Sequence, residues 1–361
     1  MERKESNPDL LDLMIQPAFM VKDGVVVRVN EAAQKYFIQP QTQIAELLHT
    51  GKEEYQQLQT GCLYLTLSLG NMPCGASVRR MDGFDVFTLE QDADQSELQA
   101  MALAAQELRL PLSNVMAVVD QLFPIAEDSD DPVAGEKTAQ INRGLFQMLR
   151  IVSNMSDAYR YSSQTEPKLA ICNITGVIAE IFEKSAALLQ FGNTQLTFEN
   201  LNRPVFGLAD QEILERAVHN IISNAVKFAP KGSAVKGKLS CRGNMLYLTV
   251  EDAGSGISGE VRGNVHARFR RSPGLEDSRF GIGLGMVMIR SAAAAHGGTV
   301  LLDHPENCGT RLTMTLAIRQ DTGRLVRANT FTVDYAGERN HTLVELSDVL
   351  PSKAYEPKNI N

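Results

Sequence analysis

The sequence predicts an α+β multidomain protein: a small α+β unit, an antiparallel helical hairpin that pairs with a second copy into a dimeric four-helix bundle, and an α/β sandwich. Three observations predict it. Short β-rich runs joined by Asp-Gly turns fill residues 1–92, an apolar repeat at alternating steps of three and four covers 93–165, and helical and strand patterns segregate into runs over 166–319. A tail, 320–361, follows.

In the first unit, PAFMVKDGVVVRV reads as two strands around Lys22-Asp23-Gly24, because Asp-Gly between β-rich runs is a strong hairpin signal. Asn30 caps a short helix, EAAQKYF. CLYLTLSL, CGASVRRM and FDVFTLE are three further strands, with Asp82-Gly83 turning the last pair. The hairpin followed by Asn and a helix resembles a PAS-type sensor domain. The residues alone also fit a small α+β domain with no ligand.

After the polar stretch 92–97, Leu98, Met101, Ala105, Leu108, Leu112, Val115, Val119 and Leu122 form a heptad seam. Pro124 and the acidic run Glu127-Asp128-Ser129-Asp130-Asp131 are expected to break it. A second seam runs through Ile141, Leu145, Met148, Val152, Met155 and Tyr159. Two such helices make an antiparallel hairpin with more apolar surface than it can cover alone, so a homodimer is expected. Beyond Leu169, ITGVIAEIFEKSAALLQ and QEILERAVHNIISNAVKFA read as helices; GKLSCRG, MLYLTVED, TVLLD and TRLTMTLAI read as strands. The tail is expected to hold one strand and one helix, with no assigned role.

Composition narrows the function. Apolar residues make up 43% and charged residues 22%, as in ordinary soluble proteins. The net charge of −8 argues against a nucleic-acid surface over the chain as a whole. No apolar run approaches the roughly 20 residues a membrane span needs, and MERKESNPDLLDLM lacks a signal-peptide core. Cys62, Cys74, Cys172, Cys241 and Cys308 are scattered without a CxxC pair and read as reduced thiols of a cytoplasmic protein. The six histidines show no ligand spacing.

Four motifs in the sandwich carry chemistry. In HNIISNAVKFA, Asn220 and Asn224 share a helix face and Lys227 lies about a turn on. Two carboxamides there supply oxygen ligands for Mg²⁺ and donors for phosphate; a polar helix surface is the other reading. In EDAGSGI, Asp252 can accept a hydrogen bond from an exocyclic amine, and Gly254 and Gly256 let backbone pass close to a flat ring, which fits adenine. The same pattern is also a common turn. In FGIGLGMVMI, Gly281, Gly283 and Gly285 lead through Leu284 into a helix whose N–H groups favour phosphate. In NCGTRLTMTL, Gly309-Thr310 turns into the last strand. Between the second and third motifs, Arg268, Phe269, Arg270, Arg271 and Arg279 read either as a lid over a triphosphate or as a solvated charged loop.

Taken in this order and spacing, the motifs resemble the ATP-binding domain of sensor histidine kinases, a branch of the ATPase superfamily shared with DNA gyrase and the heat-shock chaperones. The resemblance implies that ATP and Mg²⁺ are the cofactors, that Asn224 ligates the metal, that Asp252 holds adenine, and that Asn220 and Lys227 contact phosphates. The gyrase and chaperone branch has a glutamate where Asn220 stands, which argues against a simple ATP hydrolase. The family's extra aromatic near Val265-His266 is missing here.

In the same family the hairpin carries His-Glu, two residues, then Thr or Asn, then Pro. Over QELRLPLSNV, Glu107, Arg109 and Pro111 match, but Gln106 stands at the phosphoacceptor position and Leu110 at the Thr/Asn position. The resemblance covers about 97–318. Imidazole has a free lone pair near neutral pH, and Glu107 would orient it; the glutamine amide nitrogen has none, since its lone pair is delocalised into the carbonyl. Position 106 is expected to be solvent-facing yet inert. His49 and His219 sit outside the hairpin, with His219 expected as a structural or site-lining residue and Ser113 as a packing residue. Two roles fit. One is an enzyme acting with a partner kinase, in a heterodimer with another histidine kinase, or with a response regulator. The other is a non-catalytic module whose conformation a partner reads.

Overall fold

The structure is a computed structural model and describes residues 11, 14–70, 72–81, 83–90, 93–127, 132–162, 166–254, 284–305, 309–319 and 340–360. The expected first hairpin is present. β1 (Ala18–Lys22) and β2 (Val25–Val29) pair antiparallel. Asp23 and Gly24 both take positive φ, 52° and 78°, which matches the right-handed twist of the flanking strands. Asn30 Oδ1 accepts from Ala33 N at 3.0 Å and from Ala18 N at 3.0 Å. Its Nδ2 donates to Gln16 O at 2.8 Å, so this one amide ties the hairpin to the turn of helix beyond it. The segment it caps, Glu31–Tyr36, is a 3₁₀ turn rather than an α-helix, ended by Phe37 in the left-handed region.

Two short helices come next, α1 (Ile44–Leu47) and α2 (Lys52–Gln57), then β3 (Cys62–Leu69), β4 (Met72–Met81) and β5 (Phe84–Leu89). Their core is filled by side chains: Phe19 stacks on Phe87 at 4.8 Å, with Tyr55 tilted against Phe87.

The hairpin is α3 (Ala93–Glu127) and α4 (Pro132–Ser162). Pro124 does not end α3, which runs on to Glu127. A proline removes one N–H and crowds one carbonyl, and one turn from a helix end that loss costs little of the ladder. Pro132 opens α4, where its missing N–H would be unsatisfied in any case. The apolar seam divides in two. Leu98, Ala105, Leu112 and Met116 of α3 and Leu145 and Val152 of α4 are buried within the chain. Leu108 and Val115 of α3 and Ile141 and Met148 of α4 are exposed, and so is Ser113, contrary to the packing role expected of it.

The sandwich contains the two long helices expected, α5 (Ile174–Leu189) and α6 (Gln211–Phe228), then α7 (Leu284–Ala295). Its strands are β6 (Ala170–Asn173), β7 (Gln195–Glu199), β8 (Phe206–Ala209), β9 (Ala234–Arg242), β10 (Met245–Glu251), β11 (Val300–Asp303) and β12 (Arg311–Ala317). The sequence pattern does not reveal β6, β7 and β8: four or five residues carry too few alternations to stand out. Where α5 crosses the sheet, Gly237 is required, because a Cβ there would enter the ring of Phe182, which itself stacks on Phe198 at 4.1 Å.

One sheet joins the two ends of the described chain, in the order β2-β1-β5-β4-β3-β11-β12-β10-β9-β7. The joint is antiparallel pairing of β3 with β11, Leu63 opposite Leu301. Gly61 (φ 89°) lies against the backbone of Leu302 and Asp303, closer than any Cβ would allow. From α7, Arg290 pairs with Glu90 at 2.9 Å and lies over the Tyr64 ring. The hairpin docks on the sandwich through buried charge. Arg216 of α6, fully buried, holds Asp157 of α4 at 2.8 Å and Asn154 at 2.9 Å, and Arg160 forks onto Glu212. Residues 340–360 contain α8 (His341–Glu345), a 3₁₀ turn (Ser352–Tyr355) and α9 (Pro357–Ile360), and no strand among those described.

Candidate nucleotide site

The end of β10, the turn before β12 and the last turn of α6 meet at one corner. The helix is started by Asp210, whose Oδ1 accepts from Ile213 N at 3.2 Å, and its last turn carries Lys227 and the exposed Phe228. β10 delivers Asp252, and the turn before β12 delivers Gly309 and Thr310. Backbone bonds lock these two turns together: Asp252 N donates to Thr310 O at 3.0 Å and Gly309 N to Asp252 O at 2.8 Å. The buried Asp252 carboxylate accepts through Oδ1 from Gly254 N at 2.7 Å and Thr310 N at 3.2 Å. Burial raises its pKa above the usual carboxylate value, and those two N–H groups oppose the rise.

No side chain is tolerated in this corner. A Cβ on Gly254 would stand 2.6 Å from Phe228 O, and one on Gly309 would fall on Gly254 N and on Asp252 Oδ1. A carboxylate fixed by two backbone N–H groups suits a ligand that presents an amine.

The second half of the site lies where α7 meets α6. Gly285 sits opposite both asparagines: a Cβ there would be 2.9 Å from Asn220 Oδ1 and 3.7 Å from Asn224 Nδ2. Asn224 is half-buried, and the Lys227 side chain is nearly buried. Asn220 is fully buried and already engaged by protein: Nδ2 donates to Arg216 O at 2.8 Å, and Oδ1 accepts from Arg150 Nη2 at 3.4 Å. Leu284, expected among the ligand contacts, has its side chain buried with Leu98, Ala158 and Val287. A branched apolar residue at the start of α7 packs on the hairpin, so only its backbone remains for a ligand. Gly256, Gly281, Gly283 and the arginine-rich segment 268–279 lie outside the described residues.

Sequence reasoning misses Arg150 and Ser223. Arg150 of α4 is nearly buried and donates to Ser223 Oγ at 3.1 Å as well as to Asn220. Its only sequence signal is a cation in an otherwise apolar stretch of helix, which reads as a solvated position until the fold buries it.

On the hairpin, Gln106 and Glu107 are exposed, as is Leu110 (71%). Gln106 borders a cavity of about 310 Å³ together with Arg109, Ser156, Tyr159 and Arg160. His49 is exposed in the first unit. His219 is structural: Nδ1–H donates to Glu215 O at 2.9 Å, leaving Nε2 to accept from Thr342 Oγ1 at 3.3 Å. Among the described residues no group of His, Cys, Asp and Glu has metal-site spacing, and no helix is long and apolar enough to cross a membrane.

Comparison with known proteins bears on this geometry. Residues 209–320 match the family described as histidine kinase-, DNA gyrase B-, and HSP90-like ATPase. Histidine kinase P4 of Formosa agariphila is 26% identical over 63% of this chain and 17% of its own length. Sensor histidine kinase WalK of Bacillus subtilis is 25% identical over 66% of this chain and 39% of its own. The chain thus spans well under half the length of these curated relatives. Among solved structures, full-length ShkA in complex with AMPPNP aligns at 20% identity, with TM-score 0.49, over 62% of this chain and 47% of its own. The histidine kinase ThkA in complex with the response regulator TrrA aligns at 12% identity and TM-score 0.40, over 84% of this chain and 96% of its own.

Proposed function

We propose that the chain, whose residues 209–320 match the histidine kinase-, DNA gyrase B-, and HSP90-like ATPase family and whose curated relatives are histidine kinases, is a signalling protein of the sensor histidine kinase family that binds Mg²⁺-ATP but does not phosphorylate itself at the family's usual position. The observation that carries the nucleotide half is the corner formed by Asp252, Gly254, Gly309 and Thr310. Its fixed carboxylate accepts a hydrogen bond from the adenine amine, and its glycines let the two turns close on each other so that the carboxylate is held in place. The carboxamide of Asn224, half-buried and opposite Gly285, is the oxygen donor suited to Mg²⁺. Lys227 and the first turn of α7 face the phosphates. When bound, the metal neutralises phosphate charge.

The signalling half rests on the hairpin. Gln106 is accessible, so access does not prevent phosphorylation; its amide nitrogen has no lone pair to attack with. Leu110 has no hydroxyl or amide to position a water. The exposed Leu108 and Val115 of α3 and Ile141 and Met148 of α4 support pairing with a second hairpin, from another copy or from a partner kinase. The chain then acts with that kinase or with a response regulator. The other reading is a scaffold without phosphotransfer, and the apolar Leu110 in the reactive turn favours it.

Incubation with γ-labelled ATP, alone and with candidate partners, tests both halves. No label is expected on this chain alone, and acid-labile label there would overturn the claim about Gln106. Label confined to a partner supports an enzymatic role; none in the presence of bound nucleotide supports the scaffold. Calorimetry with Mg²⁺-ATP is expected to show binding weakened about 10-fold or more in Asp252→Asn, since a hydrogen bond to a charged group contributes roughly 1.5–3 kcal/mol.

A further inference from the structure

Residues 340–360 pack hard against the rest of the chain. Asn340 Oδ1 caps α8, accepting from Thr342 N and Leu343 N. Leu343, Val344, Leu346, Leu350, Ala354 and Tyr355 are fully buried. The Tyr355 ring meets Phe146 of α4 edge-on at 5.2 Å, and Gln147 of the same helix donates to Ser347 O at 3.1 Å. Burial of this kind anchors a chain end and by itself implies no function.

Two carboxylates of the segment do more than pack. Glu345, fully buried, accepts from Arg216 Nη1 at 2.6 Å and stands 3.7 Å from Arg150 Nε. Asp348, three residues on, keeps 30% of its side chain exposed. Its Oδ2 is 2.7 Å from Arg150 Nη1 and 3.7 Å from Lys227 Nζ. Arg150 reaches in turn to Asn220 and Ser223. One carboxylate therefore faces a cation of the hairpin and a cation of the nucleotide site, and both cations are nearly buried.

We propose that residues 340–360 form a built-in gate on the nucleotide site, in which Asp348 occupies the place of a phosphate oxygen at Lys227 and Arg150. The gate rests on the proposal that this site binds nucleotide. Carboxylate and phosphate are both anions that need the same N–H donors, and a fixed carboxylate beside them also repels an incoming polyphosphate. Nucleotide binds weakest when the segment is docked. Linkage is reciprocal, so nucleotide loosens the segment by the same factor by which the segment weakens nucleotide.

The test uses the full chain, Mg²⁺ and AMPPNP, with calorimetry on the wild type, Asp348→Asn and Asp348→Glu. Asp348→Asn is expected to bind about 5-fold tighter or more, the usual lower range of such coupling, while Asp348→Glu stays close to wild type. Hydrogen exchange over 343–350 in the wild type is expected to speed up when AMPPNP is added. A merely structural Asp348 gives a lower melting temperature with equal affinity, which overturns the gate, as does weaker binding by Asp348→Asn. No binding by any of the three folded chains overturns the nucleotide reading and the gate with it.

Discussion

Asp252 shows how one residue combines structure and chemistry. Two backbone N–H groups aim its carboxylate, while burial pushes its pKa up. On the proposed reading, nucleotide binds the ionised form. As pH falls through the raised pKa, the free protein takes up a proton that nucleotide must displace. Mg²⁺-ATP affinity is therefore expected to decline as the pH falls through that raised pKa, with proton release on binding. Calorimetry in buffers of different ionisation enthalpy measures that release, and an affinity independent of pH between 7 and 4 removes Asp252 from the site. Gly309→Ala is expected to abolish measurable binding, because its Cβ has nowhere to go except onto Asp252 and Gly254. Asp252, Gly254, Asn224 and Thr310 stood out in the sequence as candidates, since each is a residue type with a narrow chemical use at a set spacing, and the structure brings Asp252, Gly254 and Thr310 together. Arg150 did not: an arginine in a helix announces neither its burial nor its partner. Leu284 stands inside a phosphate-loop pattern, yet its side chain packs with Leu98, Ala158 and Val287, a partnership no local pattern announces.

The hairpin helices carry two apolar faces, and one chain covers only one of them. Leu108→Glu combined with Val115→Glu places two charges on the open face of α3. The double variant is expected to be monomeric by light scattering at concentrations where the wild type is a dimer, with nucleotide affinity unchanged. A wild type that is itself monomeric removes the bundle. The heptad repeat was readable because apolar residues at steps of three and four must share a helix face. Which residues of that repeat meet inside one chain was not, since the faces of α3 are assigned by where α4 and α7 sit. The run of α3 past Pro124 belongs here too: local propensity lost to packing over the rest of a long helix.

Across the whole molecule, the fold depends on buried groups held in one protonation state. His296 donates through Nδ1 to Ala292 O at 2.7 Å and accepts from Asp210 N at 3.0 Å through Nε2, so it is neutral; His219 is neutral in the same way. Burial lowers both pKa values below 6.5. The unfolded chain therefore binds protons first on acidification, and the stability these residues contribute is complete above about pH 6.5 and is lost below it. Urea unfolding is expected to show a lower midpoint at pH 5.5 than at pH 7.5, with part of the difference removed in His296→Gln. Equal slopes of stability against pH in the two chains would refute the assignment.

The sequence by itself determined the parts. Turn residues, helix caps, apolar periods and the glycine–asparagine–aspartate motifs all act within a few residues, so they are written locally. It also carried the chemical silence of Gln106, which is a property of an amide and needs no fold. Only the tertiary structure decided how the parts join: β3 beside β11 in one sheet, Arg216 between hairpin and sandwich, and Asp348 beside Lys227. Those pairings bring together residues far apart in the chain. Their register and partners come from packing and the burial of charge, and no local pattern encodes either.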